Sequence, residues 1–129
     1  MIELTAEERD AIELLCQTAD TTRGEATWIV LQERPLPEDV DFRRDETETG
    51  IRLTWFWHFD GQDHGGVILV PKPITNPAVE IQKMSVLRLH AKITIAAVLA
   101  RTDPEIAEQV EQLVRRRYSS SYEERHRHH

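Results

Sequence analysis

Two histidines and two carboxylates fall close together in His58-Phe59-Asp60-Gly61-Gln62-Asp63-His64-Gly65-Gly66. Imidazole nitrogens and carboxylate oxygens hold divalent cations, and an open coordination position on such an ion activates water. His58, Asp60, Asp63 and His64 are therefore the candidate metal ligands, and a metal-dependent hydrolase is one reading of the chain. The competing reading needs less. Asp-Gly and Gly-Gly are turn formers, and Asp is common in turns because its side chain bonds the local backbone. The turn reading takes precedence, so no metal, cofactor or catalytic residue is assigned.

Asp63-His64 followed by glycines is similar to part of the metal motif of metallo-β-lactamase-type hydrolases. The likeness stops there, because that pattern needs a second histidine where this chain has Asp60 at shifted spacing, and the family's αββα fold needs a longer chain. No function is carried over. Asp39, Asp41 and Asp45 lack the central glycine and terminal glutamate of an EF-hand loop in register. Glycine-rich phosphate loops and a nucleophile-elbow serine are missing too, which weighs against an ordinary enzyme.

The element that positions the cluster is the strand before it. Ile51, Leu53, Trp55, Trp57 and Phe59 alternate with Arg52, Thr54, Phe56 and His58. A period of two puts successive side chains on opposite faces, so two of the three tryptophans share the core side of a sheet. The opposite side carries Arg52, Phe56 and His58, a candidate interaction surface. An aromatic ring beside cations can stack bases and neutralise phosphates. An exposed aromatic equally marks a protein contact. Arg115, Arg116 and Arg117 join this candidate surface, although positive charge at a helix C-terminus already has a structural reason.

Around the strand, the spacing predicts a helix from Thr5, whose hydroxyl and the Glu8 carboxylate form a capping box. Ala11, Ile12, Leu15, Cys16 and Ala19 make its apolar stripe, and Arg23-Gly24 is expected to end it. Cys16 is expected to be a small buried residue. Thr27 to Leu31 reads as a strand stopped by Arg34-Pro35-Leu36-Pro37, followed by an acidic loop. The turn Gly61 to Gly66 and a strand Val67 to Val70 complete a hairpin. Between Val79 and Ala100 alternation favours a strand giving way to a helical turn, although the length favours a helix. Thr102 or Asp103, Pro104 and the face of Ile106, Ala107, Val110, Leu113 and Val114 predict a last helix.

The expected fold is α+β: an antiparallel sheet of about three to five strands packed on one face by the N-terminal and C-terminal helices. Residues 1–118 would form a single domain and 119–129 a polar tail carrying His126, His128 and His129. A net charge of −7 disfavours undirected binding to nucleic acid or anionic membrane. Acids gather between Met1 and Glu48 and arginines near the C-terminal end, which suits association between copies or solvated faces. One cysteine and no secretory pattern point to a reducing, cytoplasmic setting, and no apolar run suits a membrane span. The leading expectation is a small acidic non-catalytic protein–protein interaction module, adaptor-, chaperone- or immunity-like or a phage-assembly component, and homo-oligomeric. A nucleic-acid-associated protein is the alternative.

Overall fold

A computed structural model describes the backbone of residues 2–127 and the side chains as far as Arg117. The order is α1 (Ala6–Thr18), α2 (Arg23–Leu31), β1 (Asp41–Glu46), β2 (Gly50–Phe59), β3 (Gln62–Pro71), α3 (Ala78–Ala100) and α4 (Ala107–Arg127). The strands form one antiparallel sheet in the order β1-β2-β3, so the fold is α+β. The described chain comprises two compact units, residues 35–94 and residues 2–34 with 95–127. α4 continues through most of the segment read from sequence as a polar tail; His128 and His129 lie outside the described residues, as does the His126 side chain.

In the first unit the sheet is built on the expected strand. Ile51, Leu53, Trp55 and Trp57 are buried, while Arg52, Phe56 and His58 are exposed. Two buried indoles bring two N–H donors that need acceptors. Trp55 Nε1 donates to His90 Nδ1 on α3 at 3.0 Å, and Trp57 Nε1 donates to Asp39 Oδ1 at 3.1 Å. The first bond requires space that Gly66 leaves. A Cβ built there would lie 2.7 Å from Trp55 Nε1 and 2.9 Å from His90 Nδ1.

Three segments of this unit differ from the sequence reading. The acidic stretch expected to be a loop contains β1, Asp-Phe-Arg-Arg-Asp-Glu, which pairs along its whole length with β2. Its charges are tolerated because it is an edge strand and most are paired, Arg44 with Glu80 of α3, Arg43 with Asp41 and Asp45 with Arg52, while Arg88 of α3 lies over its Phe42 ring at 4.7 Å. The hairpin turn is shorter than Gly61 to Gly66. Phe59 pairs with Gln62, and Asp60 and Gly61 alone form the loop, with φ of 50° and 76°. Positive φ at both central residues is the type I′ signature, whose twist matches that of the strands.

The third difference is α3, a helix of 23 residues where a strand was expected. Asn76 Oδ1 accepts from Ala78 N and caps its start. Leu87, Ala91 and Ile95, spaced by four, are buried. Alternation misled because the outward side is apolar too. Leu89 is exposed yet falls between Leu87 and Ala91, which completes the period of two without any strand, and Val86 and Ile81 are exposed as well.

In the helical unit, Thr5 and Glu8 form the expected capping box, and Ile12 packs with Ala26 and Val30 among Ala11, Leu15 and Cys16. Cys16 is only half-buried. α1 stops at Thr18 rather than at Gly24, and the segment expected as a strand is α2. Thr22 accepts from Glu25 N, so Thr22-Arg23-Gly24-Glu25 opens a helix with the same spacing that opens α1. Gly24 sits in that first turn because α4 crosses closely. Its N–H donates to Gln109 Oε1 at 2.7 Å, and a Cβ would meet Gln109 Cβ at 2.6 Å. The β-branched residues of α2 follow this packing, not their strand preference.

Arg34 is clamped by Glu8, with Nε 2.6 Å from Oε2 and Nη2 2.7 Å from Oε1. That paired hydrogen bond is the main reason the Glu8 carboxyl is lowered from 4.5 to about 2. A carboxylate depressed by folding contributes stability that is present above pH 4.5 and lost as pH falls through about 2. Glu8→Gln, which keeps the capping geometry, should therefore flatten the decline in unfolding free energy across that window. Solvent screening limits the difference from wild type to about 1–2 kcal/mol, measured by urea titration at stepped pH. In the sheet unit, His90→Phe leaves the Trp55 N–H without its acceptor and should cost about 1–3 kcal/mol. Trp55→Phe on that background should recover part of the loss, as a double-mutant cycle would read.

Candidate interaction surface

The outward face of the sheet is defined by register. Phe56 pairs with Asp41 on β1 and Gly65 on β3, Thr54 with Arg43 and Val67, and Arg52 with Asp45 and Leu69. Residues paired across antiparallel strands point to the same side. Phe56, Val67 and Leu69 therefore stand together around Thr54, exposed by 48%, 57% and 66%. Gly65 beside Phe56 presents no side chain, so one edge of the ring is left open toward β3.

The charged residues of this face are largely engaged with each other. Arg52 Nη2 lies 3.9 Å from Asp45 Oδ2, Arg43 Nε 2.8 Å from Asp41 Oδ2, and His58 Nδ1 2.6 Å from Asp63 Oδ1. Two arginines and three aspartates give the face no excess of positive charge. Such ladders of opposite charge hold a sheet surface without building a phosphate site.

The sequence candidates separate accordingly. Arg52, Phe56 and His58 share one face as expected. His58 and Asp63 meet, but His64 pairs with Trp57 and lies on the tryptophan side, its ring 5.8 Å from that of Trp57. Asp60 is in the turn, in the left-handed conformation. Neighbouring strand residues face opposite ways, so the four candidate ligands do not converge. Among the described residues no group of three or more His, Cys, Asp or Glu is placed to hold a metal ion. Asp39, Asp41 and Asp45 are likewise spent separately, on Trp57, Arg43 and Arg52.

Arg115, Arg116 and Arg117 belong to α4, in the helical unit. Arg115 Nε donates to Glu111 Oε1 at 3.2 Å, and Arg101 holds the other oxygen of the same carboxylate at 2.8 Å. Arg101 first, then Arg115, hold the Glu111 carboxyl below the usual range. Arg115 thus serves its own helix.

Val67 and Leu69 were missed as surface residues because the apolar run Val67 to Val70 has no alternation to mark an outer face. The signal was nonetheless there. A two-residue Asp60-Gly61 turn fixes which residues oppose each other, and counting back from it sets Val67 against Thr54 and Leu69 against Arg52. Comparison with protein-family models, curated proteins and solved structures gives no match.

The two faces of β2 should respond oppositely to truncation. Phe56→Ser removes a half-exposed ring and should change unfolding free energy by less than about 1 kcal/mol, whereas Trp57→Ala should cost about 3–5 kcal/mol. Chemical denaturation of the two variants checks the assignment.

Proposed function

We propose that this chain is a non-catalytic protein–protein interaction module that works through the outer face of its sheet, in a homo-oligomer or on a protein partner. The observation that carries the reading is the cluster of Phe56, Val67 and Leu69, three large apolar side chains in mutual register and open to solvent. Apolar groups gathered in this way, with charges at the rim already paired, suit the apolar centre and polar border of a protein interface. Phosphate recognition fits less well, since the arginines beside the cluster are offset by Asp41 and Asp45, and His58 is held by Asp63. Among the described residues no helix is long and apolar enough to cross a membrane. The single cysteine supports a reducing, cytoplasmic setting for the module.

Native mass spectrometry of untagged protein from its own host tests the proposal. The expected spectrum is an oligomer or protein heterocomplex, and Phe56→Ser should shift it toward the free chain while the fold stays intact by circular dichroism. A monomer at every accessible concentration, or a species carrying nucleic acid, would overturn it.

A further inference from the structure

The two edges of the sheet are finished differently. β1 is short and nearly all charged, the usual protection against strand addition. β3 has ten residues and no charged side chain between His64 and Pro71, and among the described residues no strand pairs with its outer side. Its inward-facing Ile68 is only half-buried although its neighbour Leu53 is fully so, which marks an uncovered edge.

The turn fixes which backbone groups that edge presents. In a two-residue type I′ hairpin the closing pair, Phe59 and Gln62, exchanges hydrogen bonds, and bonded pairs then alternate along the ladder. The bond from Lys72 N to Thr49 O at 3.0 Å falls in the same phase at the far end. Asp63, Gly65, Val67 and Leu69 therefore turn their N–H and C=O groups outward, and their side chains lie on the exposed face.

From this we infer that β3 pairs antiparallel with β3 of a second copy of the chain, about a twofold axis at Val67, to make one six-stranded sheet. The inference rests on the interaction reading above and names its partner. The register is self-complementary. Val67 faces its counterpart and exchanges both backbone bonds with it. Gly65 exchanges bonds with Leu69 of the second copy, and Asp63 N–H reaches the carbonyl of Pro71, whose missing N–H ends the ladder. Shape agrees with hydrogen bonding, because Leu69, the most exposed of the three apolar side chains of the cluster, falls opposite Gly65 and fills the gap beside Phe56 of the other copy. Moving the axis to Gly65 or Leu69 loses that match. Asp63 is the one charged residue of β3, so the strong net charge opposes this contact weakly.

Hydrogen exchange and crosslinking on the full chain test the inference. In the dimer, the amides of Gly65, Val67 and Leu69 should gain protection with rising concentration. Val67→Cys in a Cys16→Ser background should form a disulfide-linked dimer, since twofold-related bonded residues bring their Cα atoms about 5.5 Å apart. Leu69→Lys should weaken association at least about tenfold by sedimentation while leaving the melting temperature of the dilute protein near wild type. A dimer that Phe56→Ser dissociates, but whose β3 amides exchange freely and whose Val67→Cys variant does not crosslink, would overturn the edge register and leave the interaction reading standing. A heterocomplex with no self-association would overturn the second copy as partner. A monomer with no protein partner would sink both.

Discussion

The sheet unit depends on satisfying one indole. Trp55 is among the largest fully buried side chains, and its N–H is removed from water with it. An unpaired donor there would cancel much of what burying the ring contributes. His90 supplies the acceptor through Nδ1, which obliges its ring proton to sit on Nε2 and fixes where α3 lies against β2. Gly66 is the third member, since any side chain at that point of β3 would occupy the space in which indole and imidazole meet. One hydrogen bond therefore ties the central strand, the adjacent edge strand and the helix covering them.

With the inward face fixed in this way, the outward face is free to be something else. Period two carries the consequence outward: because Trp55 and Trp57 must point in, Phe56 must point out, and the turn sets Val67 and Leu69 beside it. The charged partners around them are matched within the sheet. The helical unit solves a similar problem by different means, with Gly24 admitting α4 and the Glu8–Arg34 clamp tying the start of α1 to the segment that follows α2.

β2, the α1 capping box and the α+β class were legible in the sequence because each rests on a short-range rule that tertiary structure had no reason to override. What failed had a physical cause in each case. α3 carries apolar residues on both sides, so Leu87, Leu89, Ala91 and Ile93 imitate a strand while Leu87, Ala91 and Ile95 are the buried spacing. α2 was hidden by its β-branched residues and by Gly24, a glycine that serves close helix packing and not termination. β1 looked like solvated loop because its stabilising partners, Glu80 and Arg88, lie far along the chain. The exposed cluster required pairing register, which no single segment contains.

The tight Asp60-Gly61 connection gives the hairpin an unusual intolerance of length change. One added residue there, accommodated by slipping β3 against β2, would turn every side chain of that strand to the other face. Val67 and Leu69 would enter the tryptophan side, and Asp63 and His64 would trade faces. Natural drift at this corner should therefore proceed by changes of two residues, or by substitution among the few residue types that accept positive φ at both places.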